Sequence, residues 1–284
     1  MSIKVFHSEP FVDFLSFIPS SSSYTNATIE ECDIIIHHEL LSLKYPHKFF
    51  EEISTIYRPF NKKILFFILQ DHERKYKKYF SNTIIVRTSA RNSKIQPNEM
   101  VLPYIWESKE VPFDNSATTT FPTIGFCGLL SKPRRKIVRK LRRDKDVICD
   151  FIVRDKFWGG SQYDAKLSAD FYRNMEVNQF IICNRGAGNF SMRFYQTLAA
   201  GRIPVLVNTD MLLPFSDRIP WNEFIVFEKS AAACIKKMKS IHHSGKCAEY
   251  QNKCRQIFEQ YFSKEVYFNQ LAFDLKEKYG LEKK

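Results

Sequence analysis

The feature that most restricts how this chain can fold is the form of its apolar segments, which are short and continuous rather than alternating, with stretches of helical spacing between them. Continuous runs of about four to eight apolar residues suit strands buried on both faces of a parallel sheet, because crossover helices cover both sides. The runs fall into two groups. The first comprises Ile3 to Phe6, Asp33 to His37, Lys63 to Gln70, Thr83 to Thr88 and Val101 to Trp106, with a helical pattern over Leu40 to Ile56. The second comprises Thr123 to Cys127, Val147 to Val153, Phe180 to Cys183, Ile203 to Val207 and Phe224 to Phe227, with helices predicted over Lys136 to Arg143, Asp164 to Asn174 and Ser191 to Ala200. An α/β fold with two sheets of similar size follows.

The chain has 284 residues, enough for two domains at the usual size. Between the two groups lies Val111 to Phe121, a polar stretch with Pro112 and three consecutive threonines, which reads as a linker. The expected units are 1–115 and 122–262, with 263–284 a C-terminal helix that packs back on the first unit. In the tail, Ile257, Phe258, Tyr261 and Phe262 form one apolar stripe.

Several classes are disfavoured. The longest clean apolar run, Ile64 to Leu69, is far short of a membrane span. The first twenty residues hold a single lysine, and Glu9, Pro10 and Asp13 interrupt their apolar stretch, so a signal peptide is not predicted and an intracellular, cytoplasmic location is expected. Seven cysteines without a C-x-x-C pair argue against a zinc site or a disulfide framework. The net charge of +12 calls for an anionic partner, whether nucleic acid, membrane surface or phosphorylated small molecule.

In open α/β sheets ligands bind beyond the carboxyl ends of the strands. The residues that follow the runs are polar here: His37, His38 and Glu39; Asp71, His72 and Glu73; Gly128 to Arg135; Arg154 to Lys156; and Asn184 to Ser191. The segment from Phe180 to Phe215 is the most informative. A strand ends at Cys183, a tight loop with Gly186 and Gly188 follows, and Asn189 or Ser191 can cap the next helix. Small residues let the backbone approach an anion, helix-start amides donate to it, and Arg185 and Arg193 can neutralise a diphosphate. Of the eight cations in the twelve residues from Lys132 to Arg143, only Arg134 and Arg135 stand near a strand end, and Arg154 is a comparable candidate. The other cations read as a solvated face around the docking stripe of Ile137, Val138 and Leu141.

The series Arg185-Gly186, Gly188-Asn189, Ser191, Arg193, Tyr195, then Leu198, Gly201, Ile203-Pro204-Val205, Leu213-Pro214-Phe215 and Trp221 resembles the carboxyl-terminal signature of exostosin-type glycosyltransferases. A looser likeness begins at Ile124-Gly125-Phe126-Cys127-Gly128, and the chain also resembles compact exostosin-like proteins of large algal viruses. The resemblance implies the GT-B plan of two Rossmann-like domains facing a cleft. It further implies a UDP-sugar co-substrate held by the second domain, with UDP-xylose the first guess, and an inverting transfer to a hydroxyl of a glycan or glycoprotein acceptor. No cofactor and no metal are expected. For a viral protein the location would be the host-cell cytoplasm. The donor set implied is Gly128, Arg134, Arg154, Arg185, Gly186, Gly188, Asn189, Ser191, Arg193 and Gln196. Gln196 departs from the family, which usually has a ribose-gripping glutamate there, and an amide lacks the charge-assisted strength of a carboxylate.

An inverting transfer needs a group that removes the acceptor hydroxyl's proton. Asp71, after the long run Lys63 to Gln70, is the first choice, with His38 and Glu39 as alternatives. Asp71 is equally well placed as a helix cap. Asp144-Lys145-Asp146 fits the D-x-D metal pattern of another transferase architecture, but it precedes a strand, on the edge away from the expected site, and is assigned to the surface. Two other readings stay open: a GDP-sugar-dependent, fucosyltransferase-like enzyme, and a non-catalytic basic protein that binds nucleic acid or glycan. Nucleic acid is disfavoured as a partner because the cationic segment contains no aromatic residue for stacking. Peripheral membrane contact remains compatible with the charge.

Overall fold

The computed structural model describes residues 2–7, 23–39, 53, 55–73, 82–102, 119–161 and 163–281. The chain divides into two compact units, one of Met1–Glu107 with Tyr261–Lys284 and one of Ser108–Gln260.

In the first unit, β1 (Ile3–His7), β2 (Tyr24–Asn26), β3 (Ile34–Glu39), β4 (Lys63–Ile68), β5 (Thr83–Arg87) and β6 (Glu99–Val101) form one sheet in the order β2-β1-β3-β4-β5-β6. Every pairing is parallel. The run from Ile64 to Ile68 is buried throughout, as a central strand covered on both faces requires. Of the helix predicted over 40–56, residues 53, 55 and 56 are helical, and 40–52 and 54 lie outside the described residues, as do 103–106 of the last predicted strand and 111–118 of the predicted linker.

The tail returns to this unit. A helix over Lys264–Tyr279, labelled α6 below, buries Tyr267, Phe268, Leu271 and Leu275. The Tyr24 hydroxyl donates to the Phe268 carbonyl at 2.9 Å, and the two rings meet edge to face at 6.5 Å. Burial raises the Tyr24 phenol far above its ordinary pKa, so it stays a donor at any physiological pH.

The second unit holds β7 (Thr123–Leu129), β8 (Ile148–Arg154), β9 (Phe180–Ile182), β10 (Ile203–Val207) and β11 (Val226–Glu228) in the order β11-β10-β9-β7-β8, again all parallel. Its helices are α1 (Lys132–Leu141), α2 (Ala165–Glu176), α3 (Met192–Ala199), α4 (Ala231–His243) and α5 (Cys247–Tyr261). Phe126, Phe180 and Ile182 from the sheet pack with Ile137, Val138 and Leu141 of α1 and with Cys234, Met238 and Ile241 of α4. The predicted docking stripe of α1 is therefore the buried one. The helix itself starts a turn earlier than its apolar spacing suggests, because Ser131 is extended and Pro133 fits the first turn, where no amide donor is needed.

Each unit is thus a parallel α/β sheet of doubly wound order, counted from its own first strand as 2-1-3-4-5-6 in the first and 2-1-3-4-5 in the second. In that order the chain reverses direction across the sheet between the first and third strands, which opens a crevice at their carboxyl ends. In the first unit this point lies between β1 and β3, and in the second between β7 and β9.

Close packing of α2 on β7 depends on one glycine. A Cβ at Gly125 would lie 2.8 Å from Asn174 Oδ1, 2.9 Å from the Asn174 carbonyl and 2.9 Å from Asn178 Nδ2. Those two amides are tied to Asp150: Asn174 Nδ2 donates to its carboxylate at 2.9 Å and Asn178 Nδ2 at 3.0 Å. Gly125→Ala must push the helix off the sheet or break this network. Urea denaturation of the variant should give a loss of about 1 to 3 kcal/mol, as overpacked cores do.

Candidate functional site

The crevice between β7 and β9 is lined by two arginines. Arg193, in the first turn of α3, donates from Nη2 to the Cys127 carbonyl at 2.6 Å and from Nη1 to the Ile182 carbonyl at 3.3 Å, so it bridges the two strands that flank the reversal point. Arg134, in the first turn of α1, donates to the Leu129 carbonyl at 2.9 Å and to the Asn184 carbonyl at 3.2 Å, joining the same two strand ends one step further out. Both guanidinium groups stand over the ring of Phe126, at 4.7 Å for Arg193 and 5.8 Å for Arg134.

Two glycines make the room. A Cβ at Gly128, whose φ is +147°, would stand 2.6 Å from Arg193 Nη2, and one at Gly186 would stand 3.3 Å from Arg134 Nη2. Each glycine lets the backbone come up to one guanidinium. From the sequence these small residues are expected to let the backbone approach an anion; what the structure shows them doing is making space for cations.

Each arginine is only 8 % exposed, and neither has a carboxylate partner among the described residues. Desolvation lowers the pKa of both, that of Arg134 to about 10, and their mutual repulsion adds to the effect on Arg134. Among the described residues the buried Nε of Arg193 has no hydrogen-bond partner, and neither has the hydroxyl of Ser131, which precedes α1 and does not cap it. Carrying two buried cations without a counter-charge costs several kcal/mol each. An anion that entered here would meet two positive charges, an unused N–H, an unused hydroxyl and the first amides of α1 and α3.

The other predicted donor residues divide by what they touch. Asn189 is buried and stitches the loop, its Oδ1 accepting from Thr209 Oγ1 at 2.6 Å and from Arg185 Nη1 at 3.3 Å. Arg185 also donates to the Ala187 carbonyl at 3.0 Å and so braces its own loop. Gly188 and Ser191 are buried in that loop, which closes through a bond from the Gly186 amide to the Phe190 carbonyl at 3.2 Å. Arg154, opposite Leu129 across β8 and β7, donates to the Leu167 carbonyl at 2.7 Å and lies 3.8 Å from Asp170, so its charge is compensated. Gln196, one turn beyond Arg193, is 7 % exposed, and its amide makes no hydrogen bond among the described residues. Arg135 is exposed and donates to the Leu130 carbonyl.

Sequence reasoning passed over Asn184 and Ser131 as individual residues. Asn184 is 2 % exposed; its Oδ1 accepts from the Val207 amide at 2.9 Å and its Nδ2 donates to the Pro133 carbonyl at 3.4 Å, locking β10 and α1 to the end of β9. Its position immediately after a buried strand was the available signal. The later part of the signature is structural. Trp221 donates from Nε1 to the Pro214 carbonyl at 2.9 Å and packs on Phe194 at 5.2 Å, which supports α3 from behind. Gly201, at φ +59°, ends that helix.

In the first unit, Asp71 is exposed at the carboxyl end of β4, one strand beyond the reversal point. Its segment is held from β5 and the residues after it: Thr88 Oγ1 donates to the Gln70 carbonyl at 3.0 Å, Arg87 Nη2 donates to the His72 carbonyl at 2.9 Å, and Arg91 pairs with Glu73. Arg87 is itself fixed by Glu99 at 3.2 Å, both side chains almost fully buried. His38 and Glu39 end β3, nearer the reversal point, and their side chains lie outside the described residues. His37 is buried and stacked on Phe66 at 5.0 Å, which makes it a packing residue. Asp144 and Asp146 precede β8, and both carboxylates are bound by Lys239, at 2.6 and 3.0 Å.

Comparison with known proteins bears on what this site serves. The model of the Exostosin GT47 domain matches residues 19–242. A probable glucuronosyltransferase of Oryza sativa subsp. japonica is 32 % identical over 104 residues, 37 % of this chain and 24 % of that protein. A probable beta-1,4-xylosyltransferase of Arabidopsis thaliana is 39 % identical over 57 residues, 20 % of this chain and 14 % of that protein. The chain thus spans no more than about a quarter of the length of either relative. Among solved structures, that of the GtfA/B complex aligns with a TM-score of 0.50 at 9 % identity, covering 86 % of this chain and 57 % of that one, a likeness of fold alone.

The geometry makes Gly128→Ala a selective probe. Its methyl group has to displace Arg193 from the Cys127 carbonyl, so titration calorimetry with inorganic pyrophosphate should show affinity weakened by about tenfold or more, the scale of a lost charge-assisted contact.

Proposed function

This chain belongs to the exostosin GT47 family of glycosyltransferases, and on that premise we propose that it moves a sugar from a UDP-sugar to a hydroxyl of a glycan acceptor, with inversion at the anomeric carbon. The observation that carries the reading is the pair Arg134 and Arg193, buried at the β7–β9 crevice without a carboxylate partner among the described residues. A departing nucleoside diphosphate gains negative charge as the glycosidic bond breaks, and fixed cations in a desolvated site stabilise that charge more strongly than mobile ones in water.

The donor's diphosphate then lies across Arg134 and Arg193, with the Ser131 hydroxyl and the Arg193 Nε as further donors to its oxygens. The free amide of Gln196 takes the ribose hydroxyls. Asn189, Ser191, Gly188 and Arg185 shape the loop, and Arg154 adds field from beside Arg193. Asp71 serves as the base toward the acceptor hydroxyl, from a segment whose position Arg87 and Thr88 fix. Inversion through an oxocarbenium-like transition state requires the acceptor hydroxyl to attack the face of the sugar ring opposite the departing diphosphate. UDP-xylose and UDP-glucuronic acid are the donors to try first, since a probable xylosyltransferase and probable glucuronosyltransferases are among the relatives. A guanine nucleotide is the control. The reaction is proposed to run without a metal: both carboxylates of the Asp144-Lys145-Asp146 pattern are bound by Lys239, and the arginines supply the charge a metal would bring.

Three outcomes test this. UDP should raise the melting temperature of the wild-type protein more than GDP does, and Arg193→Ala should abolish the UDP effect, because only native-state binding stabilises. Asp71→Asn should lower kcat by about a hundredfold or more while UDP affinity is retained, the usual scale for a lost general base. Transfer measured with and without a chelator should be the same; loss of activity in the chelator would contradict the metal-free scheme.

A further inference from the structure

Outside the arginine crevice, the second unit carries two features for which the reaction has no use: one meets β8 through Arg142 and Phe151, and the other follows the carboxyl end of β8. The first is the outer face of α1. Arg135, Lys136, Arg139, Lys140, Arg142 and Arg143 are all exposed, and none has a carboxylate partner among the described residues. The two nearby acids, Asp144 and Asp146, are both bound by Lys239 of α4, so neither pairs with a cation of this face. The Arg142 guanidinium stands 5.9 Å from the centroid of the Phe151 ring on β8, which ties this face to the edge strand of the sheet.

The second feature is apolar. β8 is the edge of the sheet among the described residues, and near its carboxyl end Val153 is exposed. It leads into a short turn, Phe157–Gly160, where Phe157 is 59 % and Trp158 52 % exposed, with Tyr163 87 % exposed just beyond. Trp158, Gly159 and Gly160 all have positive φ, and a Cβ at Gly159 would lie 3.0 Å from Leu167 and 3.1 Å from Arg154. The turn is thus seated on its own unit through glycine while its aromatic rings point to solvent. Lys156 and Lys166 flank it, both exposed.

We propose that this surface docks the protein on an anionic lipid bilayer, with the Phe157–Gly160 turn and Tyr163 entering the headgroup region and the α1 cations lying over the acidic lipids. A bilayer accounts for both features together. Tryptophan and tyrosine favour the boundary between water and hydrocarbon, and exposed cations near an acidic leaflet each add attraction within a Debye length. A nucleic acid would need aromatic residues interleaved with the cations, and the α1 face has none. An acidic glycan would use the cations but leave the aromatic turn and the β8 edge exposed to water. Bound in this way, the enzyme would work on acceptors presented at a membrane surface. The docking surface does not depend on the sugar-transfer reading, since none of its cations and none of its aromatic residues belongs to the donor set.

The test is co-sedimentation of the full chain with vesicles of phosphatidylcholine alone and of phosphatidylcholine mixed with phosphatidylserine, at low and physiological salt. Retention is expected on the mixed vesicles only, weakening as salt rises, and falling by about tenfold in the triple variant Arg139→Glu, Lys140→Glu, Arg143→Glu and by a smaller factor in Trp158→Ala. Both variants should keep the wild-type melting temperature and its rise with UDP, which shows that they fold and separates this result from any failure of the donor site. Absence of retention on the mixed vesicles, retention that neither variant reduces, or tighter binding to heparin or to single-stranded RNA than to the mixed vesicles would overturn the proposal.

Discussion

Two guanidinium groups share one phenylalanine ring with no carboxylate partner among the described residues, and the second unit is organised around that arrangement. Arg193 and Arg134 stand over Phe126, linked to strand carbonyls that satisfy part of their hydrogen-bonding capacity and none of their charge. Carbonyl oxygens make good acceptors for a guanidinium, but they leave its net charge in place. The depressed pKa of Arg134 expresses the same imbalance. A fold tolerates such a cost where binding recovers it, and the donor diphosphate is the ligand that would do so.

The rest of the unit can be read as what holds the pair in place. The all-parallel sheet with its reversal between β7 and β9 opens the crevice, Gly128 and Gly186 leave space for the guanidinium groups, and Asn184 locks β9, β10 and α1 at its rim. Behind α3, Trp221 and Phe194 fix the helix that carries Arg193 and Gln196. The long ordered signature in the sequence is therefore a mixture: some of its residues face the crevice, and Leu213, Phe215 and Trp221 are core.

Most of the strands were legible because burial on both faces demands an uninterrupted apolar run, and Ile203 to Val207 is recovered residue for residue. What was not legible has physical reasons. β2 is only Tyr24–Asn26, a polar edge strand whose anchor is a hydroxyl bond to a helix more than two hundred residues away, and no local pattern can reveal that. The first turn of α1 contains Arg134 but little apolar signal, so its start had to be read from Ser131 and Pro133 instead of periodicity. At the site, residue type alone pointed to Arg134 and Arg193. It could not distinguish them from Arg154 and Arg185, whose charge or donors are used by Asp170, Asn189 and the Ala187 carbonyl. That difference is one of tertiary partners, which a single sequence does not state.

The central claim is that the uncompensated arginine pair exists to hold a diphosphate. A crystal structure of the protein with UDP tests it most directly. The account predicts diphosphate oxygens within hydrogen-bond distance of Arg193 Nε and the Arg134 guanidinium, above the Phe126 ring. A UDP molecule whose diphosphate lies elsewhere, with both arginines still facing only backbone carbonyls, would contradict it.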